Sequence, residues 1–291
     1  MRSKLFVPGA RPELFTKAYA SAADAVSFDL EDAVAEERKA RARADVAAFV
    51  ASRATAGRKL AIVRVNAVDS PHFAADLAAI VPARPDLLNL PKVESAEQVR
   101  DVVARIERLE RDAGPGDAIG LLLNIETPRG LRRAAEIATA HPRVAGLQLG
   151  LGDMFEPYGI GRREPAHVQM VMFQLAMAAA EAGVMACDGA WPGLDDAEGF
   201  EREARMARAL GFVGKSCIHP RQVPLANAVF AIDPDELARA REVVAAAALA
   251  GRESEGVFAV AGRMVDAPYL RRARNLVAAA DRLGDAPGAS G

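Results

Sequence analysis

The sequence predicts a (β/α)8 TIM barrel followed by a C-terminal helical extension. Three observations carry that prediction. Eight short apolar runs alternate with longer amphipathic segments over roughly the first 220 residues. Such alternation implies parallel strands joined by right-handed crossovers, and eight repeats fit a closed barrel better than an open doubly wound sheet. Ionisable residues follow one run after another, and strand ends are where such a barrel collects its chemistry. Finally, the turn after the first run, Val7-Pro8-Gly9-Ala10, is not the glycine-rich phosphate turn that an open sheet would want there.

In chain order the runs are Leu5–Val7, Ala25–Leu30, Leu60–Val65, Leu87–Leu90, Ile119–Ile125, Val144–Leu149, Gly183–Cys187 and Phe212–Ile218. Between them the periodicity predicts helices over Glu36–Ser52, Ala96–Asp112, Leu131–Ala140, Ala166–Ala182 and Ala197–Leu210. Ser95 with Gln98 forms a capping-box pattern, and Ser70-Pro71 and Thr127-Pro128 place a cap before a proline at the first helical position. Past the eighth run, Pro234–Leu249 and Pro268–Leu283 read as helices and the glycine-rich Gly251–Met264 as a loop. The expected organisation is a barrel over 1–232, an extension over 233–284 and a flexible tail over 285–291.

With 291 residues, 51% of them hydrophobic, the chain can bury one large core or two small ones. A net charge of -2 gives no field favouring nucleic acid or a membrane surface, and the arginines lie scattered among acids. No stretch is apolar enough to span a bilayer or to form a signal-peptide core. Cys187 and Cys217, two lone thiols in expected strands, point to a reducing cytoplasm rather than a disulfide framework.

The expected strand ends carry Asp29, Glu31 and Asp32, then Arg64 and Asn66, Lys92 and Glu94, Glu126, Asp153, Asp188, and finally Lys215, Ser216 and His219. Glu126 and Asp153 each sit just past an apolar run. Brought together at one barrel mouth they repel unless something positive lies between them, and a hard divalent cation, Mg²⁺ first, removes the conflict. Glu126 has a plainer reading as a complement to the dipole of the following helix, and Asp153 as a loop acid. Arg64 interrupts an apolar strand. It is either salt-bridged to Glu31 or Asp32, or a fork for a substrate carboxylate, or both. His219, before Pro220, reads first as a satisfied turn histidine and second as a base.

These motifs together resemble a known family. Arg2-Ser3-Lys4-Leu5-Phe6-Val7-Pro8-Gly9, Asp29-Leu30-Glu31-Asp32-Ala33-Val34, Val63-Arg64-Val65-Asn66, Pro91-Lys92-Val93-Glu94, Ile125-Glu126-Thr127-Pro128-Arg129-Gly130, Gly214-Lys215-Ser216-Cys217-Ile218-His219-Pro220 and Met264-Val265-Asp266 occur in that order. In this the chain resembles the citrate lyase beta-subunit-like branch of the HpcH/HpaI aldolase superfamily, which includes citryl-CoA, malyl-CoA and citramalyl-CoA lyases.

The resemblance implies a Mg²⁺-dependent carbon–carbon lyase acting on an oxo or hydroxy acid as its coenzyme A thioester. It implies Mg²⁺ on Glu126 and Asp153, and a catalytic group of Arg64, Glu31, Asp32 and Asp266, the last acting as general acid/base in a neighbouring subunit. It also implies coenzyme A contacts at Phe6 and Lys17 and a homotrimer or hexamer. A malate-synthase-like condensation, an acyl-CoA thioesterase, an aldolase on a free 2-oxo acid and a non-catalytic subunit or metabolite-binding scaffold are the competing readings. Two segments depart from the family pattern: the apolar Met170–Gln174, and Asp188-Gly189-Ala190-Trp191, which carries the chain's single tryptophan. Trp191 either caps core or narrows the substrate pocket.

Overall fold

Eight parallel strands pair in chain order and the first closes on the eighth. The computed structural model describes residues 1–52, 59–249, 258–260 and 262–283. The strands are β1 (Ser3–Pro8), β2 (Ala25–Asp29), β3 (Leu60–Arg64), β4 (Leu87–Leu90), β5 (Gly120–Ile125), β6 (Val144–Leu149), β7 (Met185–Asp188) and β8 (Gly214–Cys217). Each of the eight apolar runs therefore overlaps a barrel strand.

The intervening helices are α1 (Phe15–Tyr19), α2 (Lys39–Ser52), α3 (Phe73–Ile80), α4 (Ala96–Asp112), α5 (Pro128–Arg132), α6 (Ala134–Ala138), α7 (Leu151–Phe155), α8 (Pro165–Ala182), α9 (Ala197–Ala209) and α10 (Gln222–Val229). Ser95 caps α4 by accepting from the Gln98 N–H, while the Gln98 side chain reaches back to the N–H of Glu94. Thr127 caps α5 through the Gly130 N–H, with Pro128 in the first turn. Ser70 differs from expectation. Its hydroxyl accepts from His72 N in a turn, and α3 begins at Phe73 with no side-chain cap. The helix expected over Leu131–Ala140 is instead two short pieces, α5 and α6.

Strand parity decides what each side chain meets. Val26, Phe28, Val63 and Leu88 join the main core with the helices, whereas Ala25, Ile62, Leu87, Leu122 and Cys187 form a separate cluster, the barrel's own filling. Register extends the interior set. Lys4 pairs with Ala25 and Ser216, Ser27 with Ile62, and Asn124 with Gln148, so these buried polar residues share the interior face. Both faces of a barrel strand are covered, so the runs read as continuously apolar, and the exceptions mark where the interior is polar.

By contact the chain divides into Met1–Phe230 and Ala231–Gly291. The second unit consists of α11 (Pro234–Leu249), β9 (Phe258–Val260), β10 (Arg263–Val265) and α12 (Ala267–Leu283). Its core contains Ala240, Val243, Ala247, Val265, Leu270 and Ala273. The loop expected over 251–264 is corrected in part, because β9 and β10 pair antiparallel within it. The expected tail over 285–291 lies outside the described residues. No helix of the described residues is long and apolar enough to cross a membrane.

Candidate active site

Five consecutive strands, β2 to β6, deliver a connected set of charges at their C-terminal ends. Arg64, the last residue of β3, forks onto Asp29, the last of β2, through Nε (2.7 Å) and Nη2 (2.6 Å). Asp29 and Arg64 are register partners on adjacent strands, so the backbone alone brings them face to face. Burial opposes ionisation of Asp29, but the guanidinium and its hydrogen bonds hold the carboxyl below the usual range. Burial likewise works against Arg64, and Asp29, Glu31 and Asp32 together push its pKa up. The remaining nitrogen, Nη1, stands 2.9 Å from Glu31 Oε2 and 3.3 Å from Asp32 Oδ2. Glu31 Oε2 nevertheless receives no directed hydrogen bond, since Nη1 is close to it but not aimed at it.

Lys92 follows β4 at φ 52°, in the left-handed region that costs a non-glycine residue about 1–3 kcal/mol. The conformation serves two contacts at once: the backbone N–H donates to Glu126 Oε1 (2.8 Å) and Nζ to Glu31 Oε1 (2.8 Å). The same ammonium is 3.7 Å from Asp153 Oδ1. It is a positive group between acids at the barrel mouth, supplied by the chain itself. Burial pulls the Lys92 pKa down, but Glu31, Asp32 and Asp153 outweigh it and raise it.

Glu126, just past β5, is 2% exposed, and its Oε2 accepts from Asn124 Nδ2 at 3.1 Å. Burial, then the neighbouring Asp153 and Glu31 carboxylates, push its pKa up to about 7. Asp153 lies in the first turn of α7 with its side chain 42% exposed. Gly150 makes room for Glu126. A Cβ there would stand 2.3 Å from Glu126 Oε2, so no other residue fits without displacing that carboxylate.

The remaining expected residues divide. Phe6 lies beneath the cluster, its ring 5.1 Å from the Arg64 guanidinium carbon and 4.5 Å from Lys4 Nζ. Lys17 is exposed on α1 and joins none of these contacts. Asp266 belongs to the second unit, where its carboxylate accepts from Tyr269 N at the start of α12. Asn66 is bound up with Asp76, Leu30 O and Lys39, Glu94 with Thr127, and His219 with the N–H of Arg221.

Asp188 and Lys215 are corrections to the expected cluster at the mouth. Cys187 and Ser216 face the barrel interior, so their neighbours face outward. Lys215 Nζ is held behind the wall between Asp188 (2.5 Å) and Glu203 of α9 (2.7 Å), and Glu203 also binds Arg162. Trp191 belongs to this flank: its ring carries Arg162 at 5.2 Å and lines a cavity of about 250 Å³ with residues of α8 and α9. Arg64, Glu126 and Asp153 are not among that cavity's lining residues.

The site's donors are all oxygen, and no set of three or more His, Cys, Asp or Glu side chains suited to a metal converges among the described residues. Two carboxylates, Glu126 and Asp153, that would leave the remaining positions to water and substrate oxygens, match the way Mg²⁺ is held. An acid as buried as Glu126, next to two more, is also a place where a cation relieves repulsion.

Residues 2–220 match the family model described as HpcH/HpaI aldolase/citrate lyase. The chain belongs to that family. It is 39% identical over 287 residues to the citrate lyase subunit beta of Escherichia coli, covering 97% of this chain and 94% of that one. It is 36% identical over 283 residues to a (3S)-malyl-CoA thioesterase of Cereibacter sphaeroides, covering 97% and 95%. Among solved structures, the CitE protein of Mycobacterium tuberculosis in complex with magnesium, acetoacetate and coenzyme A superposes with a TM-score of 0.68. That match has 35% identity and covers 98% of this chain and 100% of that one. Family membership makes the chain a lyase-type barrel enzyme, as its sequence implied.

Proposed function

We propose that this protein is a Mg²⁺-dependent carbon–carbon lyase. It cleaves, or in reverse forms, a 3-hydroxy-acyl-CoA of the citryl-CoA, malyl-CoA or citramalyl-CoA type. The observation that carries the reading is the buried Glu126 carboxylate beside Asp153, with an Arg64 fork anchored on Asp29 a few side chains away. Glu126 and Asp153 would hold the metal. When bound, Mg²⁺ acts as a Lewis acid on the substrate's carbonyl oxygen, where negative charge collects as the carbon–carbon bond breaks.

Arg64 is oriented by two bonds to Asp29 that need not open, which leaves Nη1 to a substrate carbonyl or carboxylate oxygen. A charged donor of this kind is typically worth roughly 3 kcal/mol of barrier. Glu31 and Asp32 keep Nη1 and the Lys92 ammonium in place until substrate arrives. Asp266, with a partly exposed carboxylate, is the proposed general acid/base, supplied to the site of a neighbouring subunit in a trimer or hexamer. Phe6 and Lys17 are the proposed coenzyme A contacts, and two buried thiols suit a cytoplasmic enzyme.

Product analysis tests the reading. Malyl-CoA should yield acetyl-CoA and glyoxylate only with Mg²⁺, and Glu126→Gln should remove both Mg²⁺ binding by calorimetry and turnover. A Glu126→Gln protein that keeps both refutes it. The likeness to a malyl-CoA thioesterase supports one other reading, hydrolysis at the same site. Free malate and coenzyme A in place of acetyl-CoA would establish that alternative.

A further inference from the structure

A lysine inside a barrel strand requires an account, and Lys4 of β1 is 1% exposed. The amine is closed off from solvent inside the barrel. Nζ lies 3.5 Å from Asn89 Oδ1 on β4. The Asn89 amide donates to Leu122 O (2.9 Å) and to Asn124 Oδ1 on β5 (2.7 Å). The Asn124 amide donates in turn to Glu126 Oε2 (3.1 Å). Asn89 and Asn124 are 0% and 3% exposed, so the chain from Lys4 to Glu126 runs through the buried interior of the barrel.

The polarity of this chain is fixed. Lys4 offers only N–H groups to an oxygen acceptor when charged, and Leu122 O can only accept, so the Asn89 amide has one orientation that satisfies both. Asn89 then presents N–H to Asn124, whose oxygen must turn toward it, and the Asn124 N–H is left facing the carboxylate. Even a neutral amine keeps an N–H for Asn89, so the direction does not depend on the charge of Lys4. At the far end Glu126 is gripped on both oxygens, Oε1 by the Lys92 backbone and Oε2 by Asn124. Its position is set before any ligand arrives.

We infer that Lys4, Asn89 and Asn124 are positioning residues that hold the Glu126 carboxylate for metal binding through one directional hydrogen-bond chain. The inference rests on the reading of Glu126 as a Mg²⁺ ligand. Outer partners of metal ligands typically govern affinity by about 10- to 100-fold. The sign of the effect separates positioning from simple electrostatics: removing a positive charge beneath a cation site would by itself tighten binding, whereas cutting the chain loosens it.

The experiment is calorimetric Mg²⁺ titration of the full chain, with thermal unfolding of each variant. Lys4→Met should raise the Mg²⁺ dissociation constant about 10-fold, and Asn124→Ala by a similar factor or more. The double variant should be no weaker than Asn124→Ala alone, since both cut one chain. If Lys4→Met does not fold, Asn89→Ala cuts the middle link and takes its place in the same cycle. Unchanged or tighter binding in a folded Lys4→Met protein, or effects that multiply in the double variant, overturn the inference and leave the lyase reading standing. Wild-type-like Mg²⁺ binding by Glu126→Gln overturns the ligand assignment itself, and the inference with it.

Discussion

Alanine in place of Gly150 is the sharpest steric test of the site. The added Cβ would lie 2.3 Å from Glu126 Oε2 and 2.4 Å from Glu126 Cβ, distances that atoms of real side chains do not adopt. Because the clash includes Cβ, rotating the carboxylate alone cannot relieve it. Nor can the two backbones simply part, since the Gly150 N–H is bonded to Ile125 O at 3.1 Å. Backbone strain does not confuse the result: Gly150 sits at φ -121°, which alanine adopts freely. What gives way is the grip of Lys92 N and Asn124 Nδ2 on the carboxylate. Hydrogen bonds to a charged group contribute about 1.5–3 kcal/mol each, so losing both costs about 3–6 kcal/mol. At about 1.4 kcal/mol per decade, two or more orders of magnitude in Mg²⁺ affinity are at stake. Gly152, two residues along, is the internal control, for nothing lies within 4 Å of a Cβ there. Calorimetry and thermal unfolding should show Gly150→Ala weakened in both respects. Gly152→Ala should bind normally and be slightly more stable, by about 0.5–1 kcal/mol. A Gly150→Ala protein that binds Mg²⁺ and melts like wild type would refute the placement of Glu126.

Three further outcomes follow from the charges. Lys215→Met strips the shared cation from the fully buried Asp188, while Glu203 keeps Arg162, and should lower unfolding stability in urea by about 3–5 kcal/mol; an unmoved midpoint would count against the buried cluster. Arg64→Lys retains charge but cannot fork onto Asp29, so steady-state kinetics should show kcat reduced about 100-fold with Mg²⁺ binding changed little; full turnover would remove Arg64 from the chemistry. The Glu126 pKa near 7 makes a proton compete with the metal, so Mg²⁺ affinity measured against pH should fall about tenfold per unit below pH 7 and level off above it. The stability effect has the opposite sense. A carboxyl whose folded pKa is raised binds its proton more tightly when folded, so the metal-free protein should lose stability as pH rises from about 4.5 to about 7 and change little above that.

The barrel was legible because its strands are covered on both faces, which leaves eight apolar runs of strand length standing out between amphipathic helices. The Arg64, Glu31 and Asp32 grouping was legible for a related reason: a guanidinium in an apolar strand must find acids. Which acid holds it was not. Asp29 is the principal partner because register sets it opposite Arg64, and register across strands far apart in sequence is not visible in either run alone. Lys92 was visible as a strand-end cation. The left-handed backbone that lets it serve Glu126 and Glu31 together carries no sequence signature in a lysine.

Parity explains the largest misplacement and the most useful omission together. Asp188 and Lys215 look like mouth residues when only their distance along the strand is considered, yet a step of one residue from Cys187 or to Ser216 turns a side chain through the wall. By the same rule Lys4, just ahead of one apolar run, and Asn89 and Asn124, within two others, look incidental until the pairing of Lys4 with Ala25, of Arg64 with Asn89 and of Asn124 with Gln148 sets them on the inner face. One polar system therefore lies inside the barrel, from Lys4 up to Glu126, and another outside it, around Lys215. The two respond to different perturbations. Loss of Lys215 should register chiefly in stability, whereas loss of Lys4 should register in the affinity of the mouth for its cation, because only the inner system ends on a proposed ligand.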